Sequence, residues 1–193
     1  MKRILVALIF TCASVVSAQA QTATAPASSA ATASAQNSGP VKNPVTTSLR
    51  TMLPGRQKNT LGAIEAMPAE KFSYKPTPDQ ISFAHLVMHI AEFNNSFCAK
   101  AADVAAPKVD ELKETDPKDK LLAAARASFD FCSTSIANID DSKLGDSIDL
   151  GRGQSPRALA VLILASGWAD HYSAAAMYLR LNGILPPTAQ PKK

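Results

Sequence analysis

No segment of this chain alternates apolar and polar residues over a convincing stretch, and no apolar run reaches the roughly 20 residues a membrane-spanning helix needs. The first absence argues against a sheet-based fold and the second against a transmembrane segment in the mature chain. The motifs of several enzyme classes are missing too. There is no Gly-rich phosphate loop, no Cys-x-x-Cys, no His-Glu-x-x-His, and no Ser, His and Asp order suited to a nucleophilic triad. Net positive charge is small once the N-terminus is set aside. Removing Lys2 and Arg3, with no acid lost, lowers the formal net charge from +4 to +2. That excess is too small to argue for nucleic acid, and no basic stripe with interleaved aromatics appears.

What the chain does have begins with an address. Met1-Lys2-Arg3 is followed by an almost wholly apolar run from Ile4 to Val16 and then by Ser17-Ala18-Gln19-Ala20. A basic start, a short apolar core and an Ala-x-Ala site describe a signal peptide over residues 1–20, cleaved after Ala20. The expectation is an exported bacterial protein, periplasmic or secreted. Cys12 is a poor match to a lipoprotein site because Phe10-Thr11 precede it. Residues 21–45 are mostly Ala, Ser, Thr, Gln and Pro with Lys42 as the only charge. Such a composition cannot bury enough apolar area to offset chain entropy and reads as a flexible linker. Residues 46–189 then form one domain of ordinary size.

Four segments in that domain carry helical period. The first runs from about Val45 to Met67, with Pro54-Gly55 expected to kink it or to mark its true start. The second spans about Ile81 to Ala102, with Phe83, Leu86, Val87, Ile90, Asn94 and Phe97 within one face. His89 flanks that stripe beside Phe93, while His85 lies farther round toward solvent. The third runs from about Lys118 to Ile139, burying Leu121, Leu122, Ala125, Phe129, Cys132 and Ile136. Residues 140–154 are Asp- and Gly-rich, with room for a turn of strand around Ser147–Leu150. The fourth opens at Ser155-Pro156, an N-cap followed by proline, and has no charge from Ala158 to Ala169. Gly183 is its natural C-cap, and Pro186-Pro187 forbid continuation. The fold class expected is all-α, a four-helix bundle.

Trp168, Tyr172 and Tyr178 sit on a helix that is apolar all round, so they read as core and pocket lining. Arg180 reads as the partner of a carboxylate on a neighbouring helix. Cys98 and Cys132 are the cysteines left after cleavage. An even pair in an exported chain favours a disulfide, the alternative being two buried thiols on apolar faces. Neither has a basic neighbour or helix N-terminus to activate it as a nucleophile.

Two stretches carry a family resemblance. One is Met67-Pro-Ala-Glu-Lys-Phe-Ser-Tyr-Lys-Pro-Thr-Pro78 running into Ser82-Phe-Ala-His-Leu-Val-Met-His-Ile-Ala91; the other is Asp170-His-Tyr-Ser followed by Tyr178-Leu-Arg-Leu-Asn-Gly-Ile-Leu-Pro-Pro187. They resemble the DinB-like (damage-inducible) proteins, here as an exported member, and the likeness extends over nearly all of residues 46–188. It implies an up-down-down-up bundle with a long crossover between the second and third helices, and it makes a homodimer a candidate assembly. In that bundle the second and third helices run parallel, bringing Cys98 and Cys132 to similar heights. The resemblance also implies a divalent metal, zinc or nickel, held by three histidines. One comes from the second helix, matching His89. Two come from the fourth at i and i+4. His171 matches the second of these, but the first falls on Gly167.

Four-residue spacing on a helix makes a two-point chelate, and a histidine from a facing helix closes it with one position open. Glycine supplies no ligand. Asp170 is turned away from His171 on the helix, whereas Glu92 and His85 each lie one turn from His89. His85 is the candidate third ligand, being i−4 to His89. The sequence therefore predicts a degenerate metal site, with His89 and His171 as its surviving ligands, on a non-catalytic module that binds a small molecule or a protein. The alternative is a divalent-metal-dependent hydrolase or thiol transferase using those two histidines. No catalytic residue is assigned on sequence.

Overall fold

The computed structural model describes residues 39–151 and 153–191; the signal peptide and cleavage site expected over residues 1–20, Cys12 included, and most of the linker expected over 21–45 lie outside them. The first helix, α1 (Pro44–Ala66), passes through Pro54 without a break. An internal proline costs a helix about 3 kcal/mol in isolation. Here the turns on both sides are held by burial: Leu49 and Leu53 before it, Leu61 and Ile64 after it, are all at most 5% exposed.

The N-terminus of α1 is capped from far along the chain. Asp141 accepts from the backbone N–H of Val45 and of Thr46, each at 2.9 Å, and from the Thr46 hydroxyl at 2.7 Å. Beside it, Asn43 donates to Asp140 at 2.7 Å. Hydrogen bonds from the Ser142 backbone N–H, the Ser142 hydroxyl and Asn43 hold the Asp140 carboxyl at about 2, below the usual 3.8. A carboxylate on the first-turn N–H groups also complements the helix dipole.

The second helix, α2 (Phe83–Ala102), starts at Ser82, whose Oγ accepts from the His85 backbone N–H at 3.0 Å. The link before it folds back onto α2 and onto the last helix, which carries Tyr178. Tyr178 donates to the Ile81 carbonyl at 2.7 Å, and its ring packs beside those of Tyr74 and Phe83. The third helix, α3 (Lys118–Ser135), ends in a 3-10 turn over Ile136–Asn138 rather than continuing as α-helix to Ile139.

Residues Ser147–Asp149 (β1) and Gln154–Pro156 (β2) form a small antiparallel hairpin, in register Ser147↔Pro156 and Asp149↔Gln154. This moves the start of α4 (Arg157–Leu181) past Ser155, which pairs in the hairpin instead of capping the helix. The first N–H groups of α4 are satisfied by carbonyls of the preceding loop, Arg157 to Asp146 at 2.8 Å and Ala158 to Leu144 at 2.9 Å. At the other end Gly183 has φ +74°, and Ile184 donates back to Leu179 at 2.9 Å, the glycine-terminated helix end the sequence predicts.

The four helices form a bundle, and their contacts fix relative direction. Asn94 meets Ser128 and Cys98 meets Cys132, so α2 and α3 advance together. Asn94 meets Trp168 and Ile81 meets Tyr178, so α2 and α4 run oppositely. Cys98 and Cys132 are disulfide-bonded, with Cα atoms 5.2 Å apart. The core between the helices includes Leu49, Ile64, Phe83, Ile90, Phe129, Leu164 and Trp168, each at most 1% exposed. No helix among the described residues is long and apolar enough to cross a membrane.

Candidate functional site

The site lies where α2 faces α4, and a buried polar bridge sets the register there. Asn94 is fully buried. Its Nδ2 donates to Ser128 Oγ at 3.0 Å, and its Oδ1 accepts from Trp168 Nε1 at 2.9 Å. Ser128 in turn donates to the Ala125 carbonyl at 2.7 Å. One amide thus ties α2 to both α3 and α4 with every partner satisfied, the condition under which a buried polar network adds specificity rather than cost. Asn94 lies on the apolar stripe of α2, so its polar role is invisible to periodicity.

Just outside that bridge the two histidines meet. The rings of His89 and His171 are 5.1 Å apart at their centroids and nearly perpendicular. His89 is exposed, whereas His171 is 9% exposed and its Nδ1 is buried without a hydrogen-bond partner. Burial first, and then the neighbouring His89, push the His171 imidazole down to about 4; Asp170 opposes this weakly. At neutral pH, His171 is therefore an uncharged imidazole, the form in which histidine can accept a proton or bind a metal.

Phe93 completes the arrangement. Its ring stands edge-to-face with His171 at 4.6 Å and packs beside Phe97 at 4.8 Å. It also fills the notch left by Gly167. A Cβ at Gly167 would fall within 3.0 Å of three carbons of the Phe93 ring, nearer than real Cβ contacts come. Glycine inside a helix costs about 1 kcal/mol relative to alanine, and the usual reason to keep it is close approach by a neighbour. Here that neighbour is an aromatic ring in the space where an i−4 histidine side chain would begin.

His85 has a different engagement. It is exposed, and its Nδ1 lies 2.9 Å from Glu114 on the crossover between α2 and α3. Glu114 also accepts from Ser82 Oγ at 2.5 Å. The hydroxyl first, and then His85, lower its carboxyl below the ordinary glutamate value. Glu92 and Asp170 are both exposed. Among the described residues no three His, Cys, Asp or Glu side chains are grouped so that they could hold a metal ion. The donor set stands at two imidazoles, one short of a three-histidine site.

Trp168 and Tyr172, also singled out by sequence, are structural. Trp168 serves the Asn94 bridge. The Tyr172 hydroxyl lies 2.6 Å from Thr188 Oγ1 and holds the C-terminal tail. Arg180, expected to pair with a carboxylate, is exposed and makes no ion pair among the described residues. The buried arginine is Arg157, which donates to the Ala101 carbonyl at 3.1 Å at the end of α2 and lies 3.5 Å from Asp103. Its position just after a short hairpin gave no periodic signal.

Residues 53–172 match the family model described as the DinB superfamily. Two crystal structures share the fold. One is a DinB-like protein from Bacillus subtilis, 20% identical, with a TM-score of 0.60 over 75% of this chain and 99% of that one. The other is a DinB-like protein from Bacillus cereus, 12% identical, with a TM-score of 0.60 over 73% of this chain and 95% of that one. At such identities the likeness speaks to the fold alone. No curated protein matches the chain.

Proposed function

This chain belongs to the DinB superfamily, and from that premise we propose that it is an exported, non-catalytic binding module built on a degenerate metal site. One observation carries the reading: the Phe93 ring fills the notch at Gly167, at the position where the resemblance implies a ligand. The site has exchanged a donor for an aromatic contact, so recovering it requires moving Phe93 as well as replacing Gly167. Two imidazoles, one of them exposed, give a chelate too sparse for tight zinc or nickel binding. Export is supported by the signal-like N-terminus and by the Cys98–Cys132 bond, which suits an oxidising compartment.

A second reading has its own support. The unpaired, neutral Nδ1 of buried His171 beside His89 is what a metal ligand awaiting an ion resembles. With a further ligand from outside this group, a divalent ion there would supply Lewis acidity for a hydrolase or a thiol transferase.

Elemental analysis of protein purified without chelators, followed by calorimetric titration with zinc and with nickel, separates the two. The binding-module reading expects no stoichiometric metal and weak uptake. A stoichiometric ion that is lost on His89→Ala would overturn it in favour of the second reading. N-terminal sequencing of the protein recovered from its native compartment tests export, with Gln21 as the expected first residue.

A further inference from the structure

Away from the histidines, a cavity of about 370 Å³ lies between α2, α3 and the crossover that joins them. Its walls include Ala91, Leu112, Ala124 and Phe131. That volume falls within the range of small-molecule sites, and most of the wall is apolar, as such sites require. The crossover side carries Val109, which is 63% exposed in a segment otherwise rich in charge.

Two features of this cavity have no structural use. The first is Asn95 on its wall, whose Oδ1 is buried without a hydrogen-bond partner. An unpaired buried polar atom costs on the order of 1–3 kcal/mol, which a ligand supplying the missing partner would recover. The second is the charge at the mouth. Glu92, Asp110 and Glu111 border the cavity, are exposed and have no ion-pair partner among the described residues. The only base on the lining is Lys120, and its amine lies 2.9 Å from Asp116.

We propose that this cavity binds a small amphipathic cation, an ammonium group on an apolar body, of roughly 8–12 non-hydrogen atoms in all. The body occupies the space beside Leu112 and Phe131. The ammonium stays at the mouth, where its N–H groups donate to Glu92 or Glu111 and to the Asn95 oxygen. Charge-assisted bonds of this kind are about twice as strong as neutral ones. An anion of the same shape meets three carboxylates and no free base. The inference goes beyond the histidine site, since neither His89 nor His171 lines this cavity.

The test is calorimetric and NMR titration of the mature protein with tryptamine, phenethylamine and cyclohexylmethylamine, set against the isosteric anion indole-3-propionate. At least one amine binds saturably and at least tenfold tighter than the anion, with amide shifts centred on Asn95, Ala124 and Phe131. Glu92→Gln combined with Glu111→Gln weakens the amine at least fivefold. Both positions are exposed, so folding is preserved, and circular dichroism verifies this. Ala124→Trp, which fills the cavity, abolishes binding. Equal or tighter binding of the anion, no saturable binding of any of the three amines, or affinity unchanged by the glutamine pair would overturn the proposal. Metal content of the same samples reports on the histidine pair separately, so failure of one reading is told apart from failure of the other.

Discussion

Phe93 and Gly167 are complementary in shape: the aromatic ring on α2 lies where any side chain on Gly167 of α4 would have to begin. The pair explains why a helix otherwise apolar and regular accepts a glycine at its centre. It also means that any side chain placed at Gly167 requires a packing change across two helices.

Gly167→His alone therefore overpacks the interface. We expect a stability loss of about 1–3 kcal/mol and no tight metal binding. Joined with Phe93→Ala, the same histidine gains room, and zinc or nickel affinity rises at least tenfold over the parent in calorimetric titration. Equal metal affinity of the single and double variants would show that the ring does not block the site.

His171 predicts an acid-sensitive stability. Its folded pKa of about 4 lies below the ordinary 6.5, so between these values the unfolded chain binds more protons. Stability is full above pH 6.5 and falls as pH drops toward 4, by up to roughly 3 kcal/mol. Thermal melts across this window should show the slope, and His171→Phe should flatten it. Below it, Asp140, with a folded value of about 2 against 3.8, adds a second loss as pH falls from about 4 to 2. An imidazole titration of His171 by NMR with a midpoint near 6.5 would remove the basis of the first loss.

The Cys98–Cys132 bond closes a loop whose ends are 34 residues apart. Loop-closure entropy assigns it roughly 4 kcal/mol. Chemical denaturation with and without reductant should show a loss of that order. Cys98→Ser joined with Cys132→Ser should lose as much and should respond no further to reductant.

Asn94→Ala removes the partner of both Trp168 Nε1 and Ser128 Oγ inside the core. Leaving buried polar atoms unpaired, together with the small cavity formed, should cost about 2–4 kcal/mol. A red-shifted Trp168 fluorescence in the folded state would accompany the loss. An Asn94→Ala variant as stable as the parent would mean that the bridge does not set the register of α2.

Much of the fold was legible in the sequence because each helix carries its own signal. Periodicity marks α2 and α3, Gly183 with Pro186 and Pro187 stops α4, and the family resemblance singles out Gly167 four residues before His171. The misplacements share one cause, since local rules describe only neighbours in the chain. Ser155 looks like a cap, but pairing with Ile148 draws it into a hairpin. Pro54 looks like a break, but burial on both sides carries the helix through. Arg180 looks like an ion-pair partner because of its motif, whereas the buried guanidinium belongs to Arg157, which reaches the far end of α2.

The sequence by itself determined the helical class, the approximate helix ends and the family resemblance that draws attention to Gly167, because these depend on spacing and residue type along one chain direction. Only the tertiary structure decided what stands in the gap, which partner each histidine has and whether the cysteines meet. Those outcomes depend on side chains from different helices competing for one volume. Phe93 is far from Gly167 in the chain and Glu114 is 29 residues from His85, so neither relationship has a period or a motif. Both follow from how the bundle packs.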